Sequence, residues 1–312
     1  MPGIRFEPFS KAHLDDAAEL LAARHRRHLA AEPLLASGPD FRAEVDAELA
    51  KDGARGAAMF EGGNLCGYVV AAPRQVTNTG IDWLVVDFAG HALEGDAERL
   101  RDLYAHAAAR WVDDGHLRHA VYVPTSEPRL IDAWFRLCFG ASGITAARET
   151  APESFTAPVE IRDGEPRDLD AAARLDGDMA ASMAPAPSFS GMEPTTEDER
   201  VDDWRDTWDD EQFKHFVAEA DGRVVGHLLL YTGRTGLRVP ESSIDLAAAS
   251  TEPEARGTGV GRALTVHALT WAHEHGYRAM TTDWRMTNLF ASRFWPKRGF
   301  RATFLRMYRS IP

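Results

Sequence analysis

The chain has 312 residues, 44% of them hydrophobic, so it is long enough for two domains that each bury a core. Its 48 acidic and 35 basic residues give a net charge of −13, which argues against nucleic acid or an anionic membrane surface as the main partner. The sequence has no signal-peptide core and no run of 18 apolar residues, so we expect a soluble, cytoplasmic protein. Cys66 and Cys138 are too few for a disulfide framework, and we expect buried free thiols and no metal site.

An internal duplication is indicated by four segments of the first half that resemble four of the second half in the same order. The pairs are 4–21 with 161–175, 58–71 with 218–231, 109–123 with 269–283, and 133–140 with 293–300. Each pair alone is weak evidence, but the shared order of the four pairs indicates a duplication. The Pro- and Thr-containing stretch 150–160 reads as a linker, which gives domains at residues 1–152 and 158–312.

The second half begins with a mixed pattern of strands and helices. A short strand starts at Ile161, and Pro166 suits the first turn of a helix that extends through Leu175. A polar, Pro-rich stretch then leads to a helix at 197–210. The segment 216–231 predicts two strands joined by a tight Asp-Gly turn, which is a strong hairpin signal.

The remaining elements complete an α/β (α+β) pattern. The segment 242–251 predicts a strand, and apolar residues at helical spacing from Val260 to Trp271 predict a helix capped by Gly276. A strand, a short helix and a closing strand are predicted at 277–284, 288–298 and 301–308, respectively.

Three glycines stand at alternate positions in the run "EARGTGVGRAL", residues 254–264. The run lacks the lysine of a Walker loop, and Arg262 stands where a dinucleotide fingerprint needs its third glycine. It does match the pattern R-x-x-G-x-G, beginning at Arg256. Because the first turn of a helix has unpaired amides and the positive end of the dipole, we expect a pyrophosphate site. The alternative is that the glycines only make a flexible turn.

Several motifs in 159–312 resemble the GCN5-related N-acetyltransferases, the GNAT family. The shared features are the glycine loop, the opening segment 161–175, the hairpin 221–231, Pro253-Glu254, Asn288, Ala291, Phe294-Trp295 and Gly299-Phe300. The resemblance implies two tandem GNAT-like domains, each a mixed, mainly antiparallel sheet flanked by helices. It also implies acetyl-CoA as the cofactor.

The same resemblance implies how the cofactor binds. In the family, the strand before the glycine loop separates from its neighbour and pairs with the pantetheine arm, while the loop takes the pyrophosphate. The cofactor-binding residues so implied are Ala249, Ser250, Thr251, Arg256, Gly257, Thr258, Gly259, Val260, Gly261, Arg262, Asn288 and Trp295.

The first half lacks this loop. Ala97, Arg99 and Arg101 stand where the three glycines would fall, and their longer side chains would block the approach of a phosphate. We therefore expect residues 1–152 to be a degenerate GNAT-like domain without a cofactor, which covers one side of the substrate cleft.

Acyl transfer to an amine by direct attack needs a base, and two aspartates are candidates. Asp283 stands five residues before Asn288, where some family members have a catalytic glutamate, and Asp245 stands eleven before Arg256. Either could instead be a solvated or salt-bridged residue at a strand end; of the two we favour Asp283. Trp295 stands at the family's general-acid tyrosine, and an indole supplies no proton at neutral pH.

One segment of the sequence bears on the acceptor. The segment 201–211 places Trp204 and Trp208 on one face of an acidic helix, which is either a packing helix or a rim that favours a cationic amine. The sequence thus predicts an N-acetyltransferase that acts on the amine of a small molecule or peptide, with no nucleic-acid or membrane partner. The alternative is an acyl-CoA-binding pseudoenzyme or sensor.

Overall fold

The computed structural model describes residues 3–76, 81–156, 159–189 and 196–312. The chain divides into two compact units. The first contains residues 1–145, 236–238 and 302–312, and the second contains residues 146–235 and 239–301. Residues 157–158 of the predicted linker, and with them the predicted start of the second domain, lie outside the described residues.

The first unit begins with a strand, two helices and a hairpin. Its elements are β1 (Ile4–Pro8), α1 (Leu14–Ala31), α2 (Phe41–Ala50), β2 (Arg55–Glu61), β3 (Asn64–Val76), β4 (Ile81–Val86), β5 (His91–Leu93), α3 (Arg99–Asp113), β6 (Arg118–Pro124) and α4 (Pro128–Arg136). The next strand, β7 (Gly140–Glu149), begins in the first unit and ends in the second.

The second unit repeats this order of elements, with the single strand β11 where the first unit has β4 and β5. They are β8 (Glu160–Asp163), α5 (Leu169–Met183), α6 (Glu197–Trp208), β9 (Phe213–Ala220), β10 (Arg223–Tyr231), β11 (Ser243–Thr251), α7 (Val260–Glu274), β12 (Ala279–Arg285) and α8 (Leu289–Phe294). The last strand, β13 (Arg301–Ser310), belongs to the first unit from Ala302 onward.

Each unit has a mixed and mainly antiparallel sheet, as predicted. In the first unit β1, β2, β3 and β4 are antiparallel neighbours, β4 and β6 pair in parallel, and β13 pairs antiparallel with β6. In the second unit β8, β9, β10 and β11 are antiparallel neighbours, and β11 and β12 pair in parallel. The parallel pair is linked by a crossover helix in both units, α3 in the first and α7 in the second, so the duplication is confirmed.

The crossover helices show why these segments are helical. In α3 the residues Leu100, Leu103, Tyr104, Ala107 and Trp111 recur at helical spacing and are buried against the first sheet. In α7 the predicted apolar face is likewise buried at Val260, Leu264 and Ala268. Packing of one apolar face therefore fixes each helix on its sheet.

Helix α5 is longer than the sequence predicted. It continues past Leu175 to Met183, and Gly177 within it permits the close packing of α6. A methyl group added at Gly177 would lie 3.1 Å from the guanidinium of Arg200 in α6. This extension matters for function, because it brings the end of α5 to the candidate site.

Candidate active site

A gap opens between β11 and β12 in the second unit. The two strands pair only as far as Leu246 and Thr282, although β11 continues to Thr251. On its other edge β11 stays paired with β10 through Thr251. Among the described pairings, residues 247–251 therefore have one edge of backbone donors and acceptors without a neighbouring strand.

A cavity of about 580 Å³ occupies this gap, and we call it the strand-gap cavity. It is lined by the end of α5, the free edge of β11, the glycine loop with the start of α7, the end of β12, and α8. All of its lining residues belong to the second unit. Its lining residues extend from the first turn of α7 along β11 to the end of β12.

Two of the three glycines are required by the backbone, and the third is not. Gly257 has φ = 81° and Gly259 has φ = 104°, a left-handed conformation that disfavours other residues. Gly261 lies inside the first turn of α7, and an added Cβ would make only ordinary contacts, at 3.6 Å from the Phe294 ring and 3.8 Å from Thr251 Cγ2. Its small size is therefore explained by the cavity it faces rather than by the turn.

The first turn of α7 is open toward the strand-gap cavity. The amide of Ala263 makes the first helical bond, to the carbonyl of Gly259, so the amides of residues 260–262 have no acceptor within the helix. The first turn contains no acidic side chain and does contain Arg262. A helix start without a carboxylate is suited to an external anion.

The charge around the cavity is positive, although the whole chain is acidic. Four arginines line it: Arg256, Arg262, Arg285 and Arg298. Asp283 is the one carboxylate among its lining residues. This reversal of the overall charge balance favours a ligand with several negative charges.

The two candidate bases lie in different surroundings. Asp283 is exposed and lines the cavity at the point where β12 leaves β11. Asp245 is buried and is not among the lining residues. One of its oxygens accepts from Arg234 Nε and the other from Thr281 Oγ1, each at 2.6 Å. Asp245 thus fits the salt-bridged alternative, and Asp283 has the access that proton transfer needs.

Asn288 and Trp295 both line the cavity and both have a structural role. The Oδ1 atom of Asn288 accepts from the amides of Phe290 and Ala291, at 3.1 and 3.2 Å, and so caps α8. Trp295 is buried, with its ring edge-to-face with Phe294 at 4.8 Å. No tyrosine, histidine or cysteine is among the residues found to line the cavity.

Ten of the twelve implied cofactor residues line the strand-gap cavity. They are Ala249, Ser250, Thr251, Arg256, Gly257, Gly259, Gly261, Arg262, Asn288 and Trp295. The two others support the loop, since Thr258 Oγ1 donates to the carbonyl of Ala255 at 2.7 Å and Val260 is buried.

Sequence reasoning missed the contribution of α5. Met179, Ser182 and Met183 line the cavity at the end of that helix. The available signal was the spacing of the two methionines, i and i+4, which places them on one helical face. The sequence predicted this helix only through Leu175, which left both methionines outside it.

Helix α6, which carries the acidic residues and the two tryptophans, packs within the second unit. None of its residues is among those that line the strand-gap cavity. Trp204 is buried against Ala172, Ala173 and Leu229. Trp208 stacks on His215, with ring centroids 3.7 Å apart. The two tryptophans thus anchor the helix, as in the packing interpretation.

In the first unit the corresponding gap is filled by a histidine. Val69 faces His91 in the β3–β5 pair, as Leu228 faces Ala249 in the β10–β11 pair. Counted from the hairpin turns, Val69 and Leu228 are equivalent, so His91 stands where the second unit has Ala249. His91 Nε2 donates to the backbone carbonyl of Tyr122 in β6 at 3.0 Å, across the gap.

Helix α1 adds two further side chains to the same region. Counted from the 3₁₀ turns that precede α1 and α5, Arg24 and His28 take the places of Met179 and Met183. Arg24 is buried and donates to the backbone carbonyls of Phe88 and His91. Burial lowers the pKa of Arg24 to about 10 and that of His28 to about 3.

The start of α3 is also closed to an anion. Arg99 makes a two-bonded ion pair with Glu61, at 2.7 and 2.9 Å, and the first turn contains Asp102. The carboxylates there already supply the negative charge that the free amides of a helix start attract.

Known proteins share this architecture. Residues 182–300 match the model of the acetyltransferase (GNAT) family. A GCN5-related N-acetyltransferase from Sphaerobacter thermophilus is similar in structure at 15% identity and a TM-score of 0.62, over 98% of this chain and 95% of that one. A tandem GNAT protein from the clavulanic acid biosynthesis pathway is similar at 14% identity and a TM-score of 0.55, over 98% of both chains. Among curated protein sequences none matches significantly.

The fold of the chain is the tandem GNAT fold. At these sequence identities the solved structures show the fold alone. The match of residues 182–300 to the acetyltransferase (GNAT) family model supports acyl transfer from an acyl-CoA in general. The described residues include no helix long and apolar enough to cross a membrane, and no cluster of ligating side chains suited to a metal ion.

Proposed function

We propose that the second unit is an N-acetyltransferase, which transfers an acetyl group from acetyl-CoA to an amine of a small molecule or peptide by direct attack in a ternary complex. The observation that carries the proposal is the strand-gap cavity. Its walls lead from the open first turn of α7, along the free edge of β11, to Asp283.

The residues have separate tasks in this proposal. The amides at the start of α7 hold the pyrophosphate, and the free edge of β11 at 247–251 pairs with the pantetheine amides. A backbone amide of the same edge donates to the oxyanion of the tetrahedral intermediate. The thiol of CoA has a pKa of about 8.5 and leaves as a thiolate without a general acid, which is consistent with Trp295 in place of a tyrosine.

The acceptor in this proposal is a cationic amine. Asp283 is the carboxylate that lines the cavity, and an ammonium group would be drawn to it before it loses a proton. The experiment is to measure acetyl-CoA-dependent release of CoA with a panel of amines, each paired with an uncharged or anionic analogue. Release with amines supports the transferase. Tight CoA binding without release for any amine would favour the alternative, a sensor or pseudoenzyme.

Replacement of Asp283 tests the base. Asp283→Asn is expected to lower kcat/KM near pH 7 by about 10-fold or more, because general bases contribute about 10²–10⁴-fold and the amine is mostly protonated there. The loss should shrink above about pH 9, where free amine is abundant, and CoA affinity should be unchanged.

The matched comparison is Asp245→Asn. Because it breaks a buried ion pair with Arg234, we expect it to lower stability first. An unchanged pH–rate profile in Asp283→Asn, with loss only in a folded Asp245→Asn protein, would move the role to Asp245.

We further propose that the duplicated domains are residues 1–152 and 158–312 and that only the second binds acyl-CoA. The support is the filling of the first unit's gap by Arg24, His28 and His91. Calorimetry with acetyl-CoA should therefore give one equivalent per chain. A second equivalent of similar affinity would contradict the loss of the site from the first unit.

A further inference from the structure

Arg234 is held beside the candidate base Asp283 by the carboxylate of Asp245. Its Nε donates to one oxygen of Asp245, and the other oxygen accepts from Thr281 Oγ1, each at 2.6 Å. Asp245 is only 5% exposed, so its carboxylate is used inside the protein. All four residues belong to the second unit. Asp245 is therefore a fixed support for the guanidinium group of Arg234.

The backbone that carries Arg234 is also fixed. The amide of Thr232 donates to the carbonyl of Gln212 at 2.9 Å. Gly233 lies against Tyr231, and a Cβ at this position would overlap the Tyr231 hydroxyl group. Because a side chain there would displace the tyrosine, close packing sets the direction of the chain at Arg234. Arg234 is thus positioned at both ends of its side chain.

The outer end of Arg234 is free to bind a ligand. Its side chain is 31% exposed, and among the described residues Nε is the one guanidinium nitrogen that has a hydrogen-bond partner. The donors on Nη1 and Nη2 remain, and they form the planar fork that binds both oxygens of a carboxylate.

Asp283 lies near this fork without touching it. Asp245 pairs with Thr281 in the β11–β12 register, and Asp283 follows two residues later on the same face of β12. Burial lowers the pKa of Arg234, but the carboxylates of Asp245 and then of Asp283 outweigh burial and raise it. Within the described part of the chain, Arg234 makes an ion pair with Asp245 and not with Asp283. The two opposite charges are close but separate, as a ligand that carries both charges requires.

We propose that the acceptor is an amino acid, with its ammonium group at Asp283 and its carboxylate on the Nη1–Nη2 fork of Arg234. This rests on the proposed function, and it names the substrate class of that site. In the transfer, the ammonium proton passes to Asp283, a C–N bond to the acetyl carbon replaces the C–S bond of the thioester, and CoA leaves as the thiolate. An amine without a carboxylate would use Asp283 alone.

The test measures acetyl-CoA-dependent release of CoA with free amino acids, each paired with the amine that lacks its carboxylate. For the amino acids that react, kcat/KM should be at least about 10-fold higher than for the paired amine, since the charge-assisted contact to Arg234 is lost with the carboxylate. In Arg234→Lys this preference should fall to within about 3-fold, because lysine keeps the charge beside Asp245 but lacks the fork. The affinity for acetyl-CoA should not change, since Arg234 is not among the residues that line the strand-gap cavity.

A second variant separates ligand binding from the support of Asp245. The double variant Arg234→Gln, Asp245→Asn removes both charges of the pair and should also lose the preference; retention of the preference would mean that Arg234 only neutralises Asp245. Arg205→Lys changes an exposed arginine of α6 and is the matched control, in which the preference should be kept. Equal kcat/KM for amino acids and their paired amines in the unchanged protein would overturn the inference and leave the transferase in place. Absence of CoA release with every amine would remove the proposed function, and the inference with it.

Discussion

Gly261→Asp is expected to lower the affinity for acyl-CoA by about 100-fold or more, without lowering the stability of the fold. An added Cβ at this position makes only ordinary contacts, the nearest at 3.6 Å from the Phe294 ring. An acidic side chain in the first turn of a helix also stabilises it, by about 0.3–1 kcal/mol. The same carboxylate would lie against the free amides and repel the phosphates, so stability and binding should change in opposite directions.

Gly259 is a poorer position for this test. With φ = 104° it would strain any other residue, and loss of binding there would not separate charge from misfolding. Gly261→Ala is the matched control, because it adds a methyl group without a charge; we expect a smaller loss of affinity than in Gly261→Asp. Calorimetry and thermal unfolding of both variants check the prediction. A Gly261→Asp protein that is folded and binds CoA normally would show that the glycines only form a turn and do not make a phosphate site.

Local signals predicted much of the second unit. The Asp-Gly pair at 221–222 gave the hairpin, and both residues have the positive φ angles that such a turn requires, 51° and 74°. The glycine loop and the helix after it were predicted because short motifs specify them directly. The gap between β11 and β12 followed only from the family resemblance, since strand separation has no local sequence signal.

Features that depend on distant contacts were not predicted. The last strand, β13, pairs with β6 of the first unit, and neither strand contains a residue pattern that specifies the partner. From the sequence, the absence of a cofactor in the first unit was expected on the missing glycines alone. The side chains that fill the corresponding gap, Arg24, His28 and His91, come from two separate segments, and recognising them required the register of the paired strands.

Acid is expected to unfold the protein well above the pH at which carboxylates titrate. Six of the described histidines are buried, and burial lowers the pKa of each: to about 3 for His28, His91 and His227, to about 4 for His119 and His215, and below its ordinary value for His25. In the unfolded chain each would titrate near 6.5. Because the folded state keeps these histidines neutral, only the unfolded state takes up their protons as the pH falls. The free energy of unfolding is therefore fully present above about pH 6.5 and decreases as the pH falls toward 4.

The expected size of this effect is large. At pH 5.5 each such histidine favours the unfolded state by about 1 kcal/mol, so several together reach the order of the 5–15 kcal/mol that stabilises a typical folded protein. Glu44, Glu48 and Asp176 act in the opposite sense, because burial raises the pKa of each and the folded state then takes up protons. The histidines outweigh these three carboxyl groups, since the protonation of histidines on unfolding begins nearer neutrality.

Denaturant unfolding at intervals between pH 8 and pH 5 measures the result. The free energy of unfolding should be nearly constant above pH 7 and should fall steeply below about pH 6. His227→Gln should be less stable at pH 7.5 and should have a shallower slope, because one buried site no longer takes up a proton on unfolding. His273→Gln changes an exposed histidine and should leave the slope unchanged. An unfolding free energy equal at pH 7.5 and pH 5.2 would mean that the buried histidines gain protons without unfolding.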